Sequence, residues 1–179
     1  YKLQIFFVMS HKIVYQTEEG GVAIVHPTGE VAIGALVAQV VPAEAPWEIV
    51  EHDVLPTDRV FRSAWRVTGI GSTEQTVVHE DLTASAEIAH AMRREARNVE
   101  FAPYDEIIMK QIPGSDAVAA EAARAEIRTR YAGIQSAIDE AADPFAIKVA
   151  LTDRGILTGY AVTTGATGAT GIGGATGAN

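Results

Sequence analysis

"LTASAEIAHAMRREARNVEFAPYDEIIMKQI", residues 82–112, decides how the chain is read. Alanine, glutamate and arginine lose least on entering a helix, and here they fill a run far longer than a strand. The stretch opens a helical region expected over 81–151. Pro103 lies inside it and predicts a kink or break near Phe101, because proline lacks the N–H and crowds the preceding turn. Pro113 and Gly114 then stop the helix. Ser115 or Asp116 can cap the next one by accepting hydrogen bonds from its free N–H groups.

That next helix carries Ile127, Tyr131, Ile134, Ile138 and Ala141, spaced 4, 3, 4 and 3. Such spacing makes a heptad seam, one apolar stripe along a face. It lasts about two heptads, fewer than the three or four that define a coiled coil. Two readings stay open: a helical hairpin packed within the chain, or a short coiled coil in which Ile127, Tyr131, Ile134 and Ile138 hold chains together. Asp143 before Pro144 is a good N-cap and first-turn pair for a last helix, "PFAIKVAL".

Upstream of the helices the pattern changes to strands. "HKIVYQ" and "GGVAIVHP" are short β-branched runs joined by "TEEGG", whose glycines supply the positive φ of a tight hairpin. "PWEIVEHDVLP", "RVFRSAWRVTGI" and "TEQTVVHEDL" follow as further strand candidates. A small, curled antiparallel sheet is expected over 1–80, anchored by Trp47, Phe61 and Trp65. "GEVAIGALVAQVVPAEAP" reads equally as a short helix or a strand. Met9 with "SHKIVYQTEEGG" after it reads as a natural start, residues 1–8 being an upstream extension or a strand with Leu3, Ile5 and Phe7 on one face. The opening "YKLQIFFVM" lacks the small-residue cleavage site of a signal peptide.

The third segment, 152–179, begins with "TDRGILTGYAV", expected as a strand pair or an extended arm, and ends in "GATGATGIGGATGAN". Glycine recurs there at Gly165, Gly168, Gly171, Gly174 and Gly177. A glycine at every third position is demanded where three chains meet at an axis too crowded for any Cβ. The triplets contain no proline to pre-set the extended conformation, so a triple helix this short needs trimerisation by a neighbouring element. The other reading is a flexible Gly/Ala/Thr linker. The fold class expected overall is α+β: a small N-terminal antiparallel β region, a helical hairpin or short coiled coil, and a glycine-rich extended arm.

A net charge of -9 argues against nucleic acid or an anionic membrane as partner. Arg93, Arg94 and Arg97 form a small basic cluster, diluted by Glu87, Glu95 and Glu100, and read as a solvated helix face. Without a single cysteine, disulfides and thiolate metal sites are excluded. No apolar run approaches the roughly 20 residues of a membrane-spanning helix, so no membrane insertion is expected.

Motifs for chemistry are scarce. The five histidines include no H-E-x-x-H and no helical i, i+4 pair. "EHD" (51–53) and "HED" (79–81) bunch histidine with carboxylates, but neighbours on a strand point to opposite faces, so both read as polar loops or strand edges. His79 and His90 can meet across a loop-to-helix junction. No nucleophile elbow, Walker A loop or dinucleotide fingerprint is present, and "GIGST" (69–73) reads as a turn between strands. No catalytic residue, metal ligand or cofactor is assigned.

"LPTDRVFRSAWRV" (55–67), coming after "KIVYQTEEGGVAIVHPTGE" (12–30), resembles short proteins of tailed bacteriophages whose genes lie beside tail-fibre genes. In those proteins a DR-x-FR-x-AW core follows an opening hairpin, matched here by Asp58, Arg59, Phe61, Arg62, Ala64 and Trp65. "AHAMRREARNVEFAPYDEIIMKQIPG" resembles the region after that core, so the likeness covers about residues 12–150. The residues themselves allow Arg59 and Arg62 to pair with Asp58 or Asp53, or to stack on Trp65. The glycine-triplet tail departs from that family and is more like the repeats of trimeric fibre proteins. The resemblance implies a non-enzymatic structural protein of a phage virion, tail-fibre or baseplate associated, made in the host cytoplasm and self-assembling, as a trimer, with other tail proteins as partners. A tail-fibre assembly chaperone that leaves the particle is the alternative, and a small envelope-acting enzyme the third.

Overall fold

The computed structural model describes residues 11–110 and 116–158. Residues 1–8, the stop at Pro113 and Gly114, Ser115, and the triplet glycines Gly165, Gly168, Gly171, Gly174 and Gly177 lie outside the described residues. The chain is α+β. Strands β1 (His11–Gln16), β2 (Val22–Val25) and β3 (Trp47–Glu51) form one antiparallel sheet in the order β2-β1-β3, and β4 (Trp65–Thr68) pairs with β5 (Val77–Glu80) in a second. Helix α1 (Ile33–Val40) lies between β2 and β3, and α2 (Leu82–Lys110), α3 (Ala117–Asp139) and α4 (Pro144–Asp153) follow β5.

The β1–β2 hairpin turns where the glycines predict. Gly20 takes φ +78, and the Thr17 and Gly21 backbones close the turn. The β4–β5 turn depends on Gly69 at φ +85, where a Cβ would collide with the Gln75 carbonyl. One face of the first sheet, with Val14, Val22 and Val50, packs with Trp65 and Val78 of the second sheet and with Leu55 into one core. Trp47, expected as a core anchor, is instead 42% exposed. It stands opposite Tyr15 on the other face of the sheet, two residues from the equally outward Ile49. Periodicity left residues 29–46 undecided, and the outcome is α1, an apolar helix with no buried residue.

The helices form a second core. Pairings of His90 with Asp139, Glu100 with Arg130 and Asp105 with Arg124 run in opposite chain directions, so α2 and α3 are an antiparallel hairpin. Ile127, Tyr131, Ile134 and Ile138 are buried with Ala89 of α2 and with Ile147 and Leu151 of α4. Of the two readings open for the stripe, a hairpin within the chain or a seam between chains, the packing seen is within the chain, where α4 folds back over the hairpin and covers Ile127, Tyr131, Ile134 and Ile138.

Of the kink or break expected at Pro103, the break does not occur: α2 runs through it to Lys110. Proline withdraws one N–H from the carbonyl four residues earlier, that of Val99. Val99 is 65% exposed, so water reaches that turn, and contacts to α3 clamp the helix on both sides of the proline. Caps form where sequence placed them. Asp116 accepts from Ala119 N at 2.9 Å and Asp143 from Ala146 N at 2.8 Å, with Pro144 in the first turn.

The segment from Thr152 is neither strand nor free arm over the described residues. Gly155, at φ +71, donates to Thr152 O and Ile156 donates to Leu151 O, a left-handed close that ends α4. Ile156 and Leu157 then pack on the helical core.

Candidate functional site

The DR-x-FR-x-AW segment joins the two cores. Phe61 and Ala64 are fully buried in the helical core, whereas Trp65, 1% exposed, is buried in the sheet core. A 3-10 turn over Arg62–Ala64 carries the chain from one to the other. Asp58 sets the entry: its carboxylate accepts from Val60 N at 2.8 Å. Arg62 lies over the Trp65 ring, 4.4 Å from its centroid, and donates to Val22 O at 3.1 Å. Stacking on Trp65, one of the arrangements the sequence allowed this arginine, forms. Burial, then Arg59, lowers its pKa, yet a guanidinium stays charged. Arg59 stands exposed beside it.

Lys148, which sequence reasoning did not single out, completes the joint. It is only 4% exposed, on α4, and its ammonium reaches Glu80 Oε1 and Oε2 at 2.8 and 2.6 Å and the Asp58 carboxylate. The Phe61 ring lies 5.3 Å beneath it. One cation thus ties the motif loop, the end of β5 and the last helix. The signal available in sequence was the lone lysine in the apolar run "PFAIKVAL". An ammonium can stay buried there because its donors meet carboxylates rather than apolar walls.

The "HED" triplet divides its labour as strand geometry requires. His79 points outward, Glu80 turns to Lys148, and Asp81 caps α2 by accepting from Ala84 N at 2.8 Å. His90 meets the Asp139 carboxylate at 3.0 Å on the helix hairpin. A cleft of about 380 Å³ opens beside the clamp, lined by Thr57, Asp58, Glu80, Asp143, Phe145 and Lys148 among others. No group of three metal-ligating side chains occurs among the described residues, and no described helix is long and apolar enough to cross a membrane.

The basic cluster of α2 is not uniformly solvated. Arg94 is exposed, but Arg93 is buried and reaches the Tyr131 carbonyl at 3.5 Å. Burial first, then Arg97 and Arg94, lower its pKa, with Asp139 opposing them. The Arg97 and Arg124 guanidiniums lie 5.7 and 5.2 Å from the Phe101 ring centroid. These arginines build the hairpin seam through their stems and planar faces.

No family model, curated protein or solved structure matches the chain.

Proposed function

We propose that the chain is a non-enzymatic structural component of a tailed-phage particle, tail-fibre or baseplate associated, which self-assembles as an oligomer through its C-terminal triplets. The observation that carries this reading is the strict glycine period at 165, 168, 171, 174 and 177, which makes chemical sense where several copies of the tail meet. The body adds support by its economy. The helical stripe is buried within the chain, so assembly falls to the tail, and the DR-x-FR-x-AW residues hold two cores together. A trimer is the stoichiometry that a three-residue glycine period fits. The particle, and not the host cytoplasm where the chain is made, is then its site of action.

The chaperone reading stays beside it for one reason: Trp47 and Ile49 present an apolar strand face to solvent, a feature suited to holding another chain. Two measurements separate these roles. Mass spectrometry of purified particles should find the chain in stoichiometric copies, and its loss on purification would favour the chaperone. Light scattering should give a trimer for the full chain and a monomer for a version ending at Thr164. A monomer in both cases would remove the assembly role of the tail.

A further inference from the structure

Strand β3 is an edge strand, and its open side coincides with its exposed side chains. In an antiparallel pair, alternate residues direct both backbone groups to the partner and the intervening ones direct them away. Gln16 N donates to Pro46 O at 3.1 Å, which fixes the phase of the β1–β3 ladder. Glu48 and Val50 therefore bond to β1, and Trp47 and Ile49 turn N–H and C=O outward. Among the described residues neither makes another backbone hydrogen bond. Their side chains, 42% and 39% exposed, share the sheet face opposite Val14, Val22 and Val50 with half-buried Tyr15 and with Ile13, which is itself fully buried.

Charge brackets this edge. Before Trp47, exposed Glu18 and Glu44 line a hollow of about 160 Å³ with Pro42 and Pro46. Beyond it, exposed Glu51 and Asp53 line another of about 530 Å³ with His52 and Thr57. An open, apolar edge is an invitation to any strand, and proteins normally blunt it. Here the acidic ends select. A second copy of β3 laid antiparallel would bring Glu18 and Glu44 of one chain to Glu51 and Asp53 of the other, four like charges at each end.

We infer that the β3 edge takes an extended segment of a partner protein as an added strand, with apolar side chains over Trp47 and Ile49 and a lysine or arginine at each end. Main-chain hydrogen bonds supply affinity in this mode, and the flanking charges supply register and choice of partner. The inference does not depend on the virion reading, since it is tested on the purified chain alone.

The probe is a synthetic peptide alternating valine and threonine with two lysines at each end, set against the same core with glutamates at each end. Binding is read by Trp47 fluorescence and by slowed exchange of the Ile49 amide hydrogen. The lysine peptide should bind saturably, and the glutamate peptide at least roughly tenfold more weakly. Ile49→Pro removes an outward N–H that the β1 ladder does not use, and should weaken binding by roughly tenfold or more. Should that variant fail to fold, Glu18→Lys with Glu44→Lys provides the second arm, and is expected to abolish the preference for lysine ends. No saturation at about 1 mM, equal binding of both peptides, or an unprotected Ile49 amide in the complex would overturn the proposal. So would a dimer of the full chain that Ile49→Pro dissolves, because the edge would then belong to a second copy.

Discussion

Phe61 and Trp65 stand four residues apart on either side of one 3-10 turn, yet each is buried in a different hydrophobic core. The turn between them cannot move without disturbing both. This explains why Asp58, Arg62 and Lys148 converge there: they hold the chain at the point where the sheets hand over to the helices.

Lys148→Ala should be strongly destabilising. It removes the ammonium that the Glu80 and Asp58 carboxylates share. Breaking a buried pair by removing one partner costs about 3–5 kcal/mol. Urea unfolding should show this loss, and the combination Lys148→Met, Glu80→Gln, Asp58→Asn should recover much of it. An unchanged midpoint in Lys148→Ala would mean that the clamp is not formed.

Ile134→Ala separates two uses of the helical stripe. Ile134 is buried among α2, α3 and α4, so the cavity left behind should destabilise the fold by about 2–5 kcal/mol. The mass in solution should not change. A variant that keeps its stability but dissociates would return the stripe to a role between chains.

Gly69→Ala should cost more than Gly71→Ala. Both glycines have positive φ, which any L side chain resists by about 1–2 kcal/mol. At Gly71 a Cβ meets nothing within 4 Å, whereas at Gly69 it would also stand 2.8 Å from the Gln75 carbonyl carbon. Equal thermal shifts for the two variants would contradict this account of the β4–β5 turn.

Acid should weaken the fold through His26. Burial first, and then Lys12, Arg59, His52 and Arg62, hold its pKa below 6.5 in the folded chain. The unfolded chain therefore takes up the proton first as pH falls through 6.5, and stability drops from there until the folded pKa has been passed. His26 is exposed, so solvent keeps the effect small. Urea midpoints between about pH 7.5 and pH 5 should fall less in His26→Gln than in the parent chain.

What the sequence determined by itself is local. Alanine-rich composition specified the α2–α3 region as helical. Asp116 and Asp143 marked helix starts, and Gly20 marked the hairpin, because caps and turns depend on a few adjacent atoms. The α+β division followed from the change of period. What tertiary structure alone decided is which surface covers which. The stripe Ile127–Tyr131–Ile134–Ile138 has the same spacing whether it meets a second chain or its own, and only the return of α4 settles its partner. Trp47 and Trp65 look alike as core anchors, and sheet pairing sends one outward and one inward. Pro103 survives mid-helix because α3 braces both flanks, and Lys148 is tolerated because two carboxylates distant in sequence arrive beside it. Such contacts join residues tens of positions apart, and no periodicity along one chain records them.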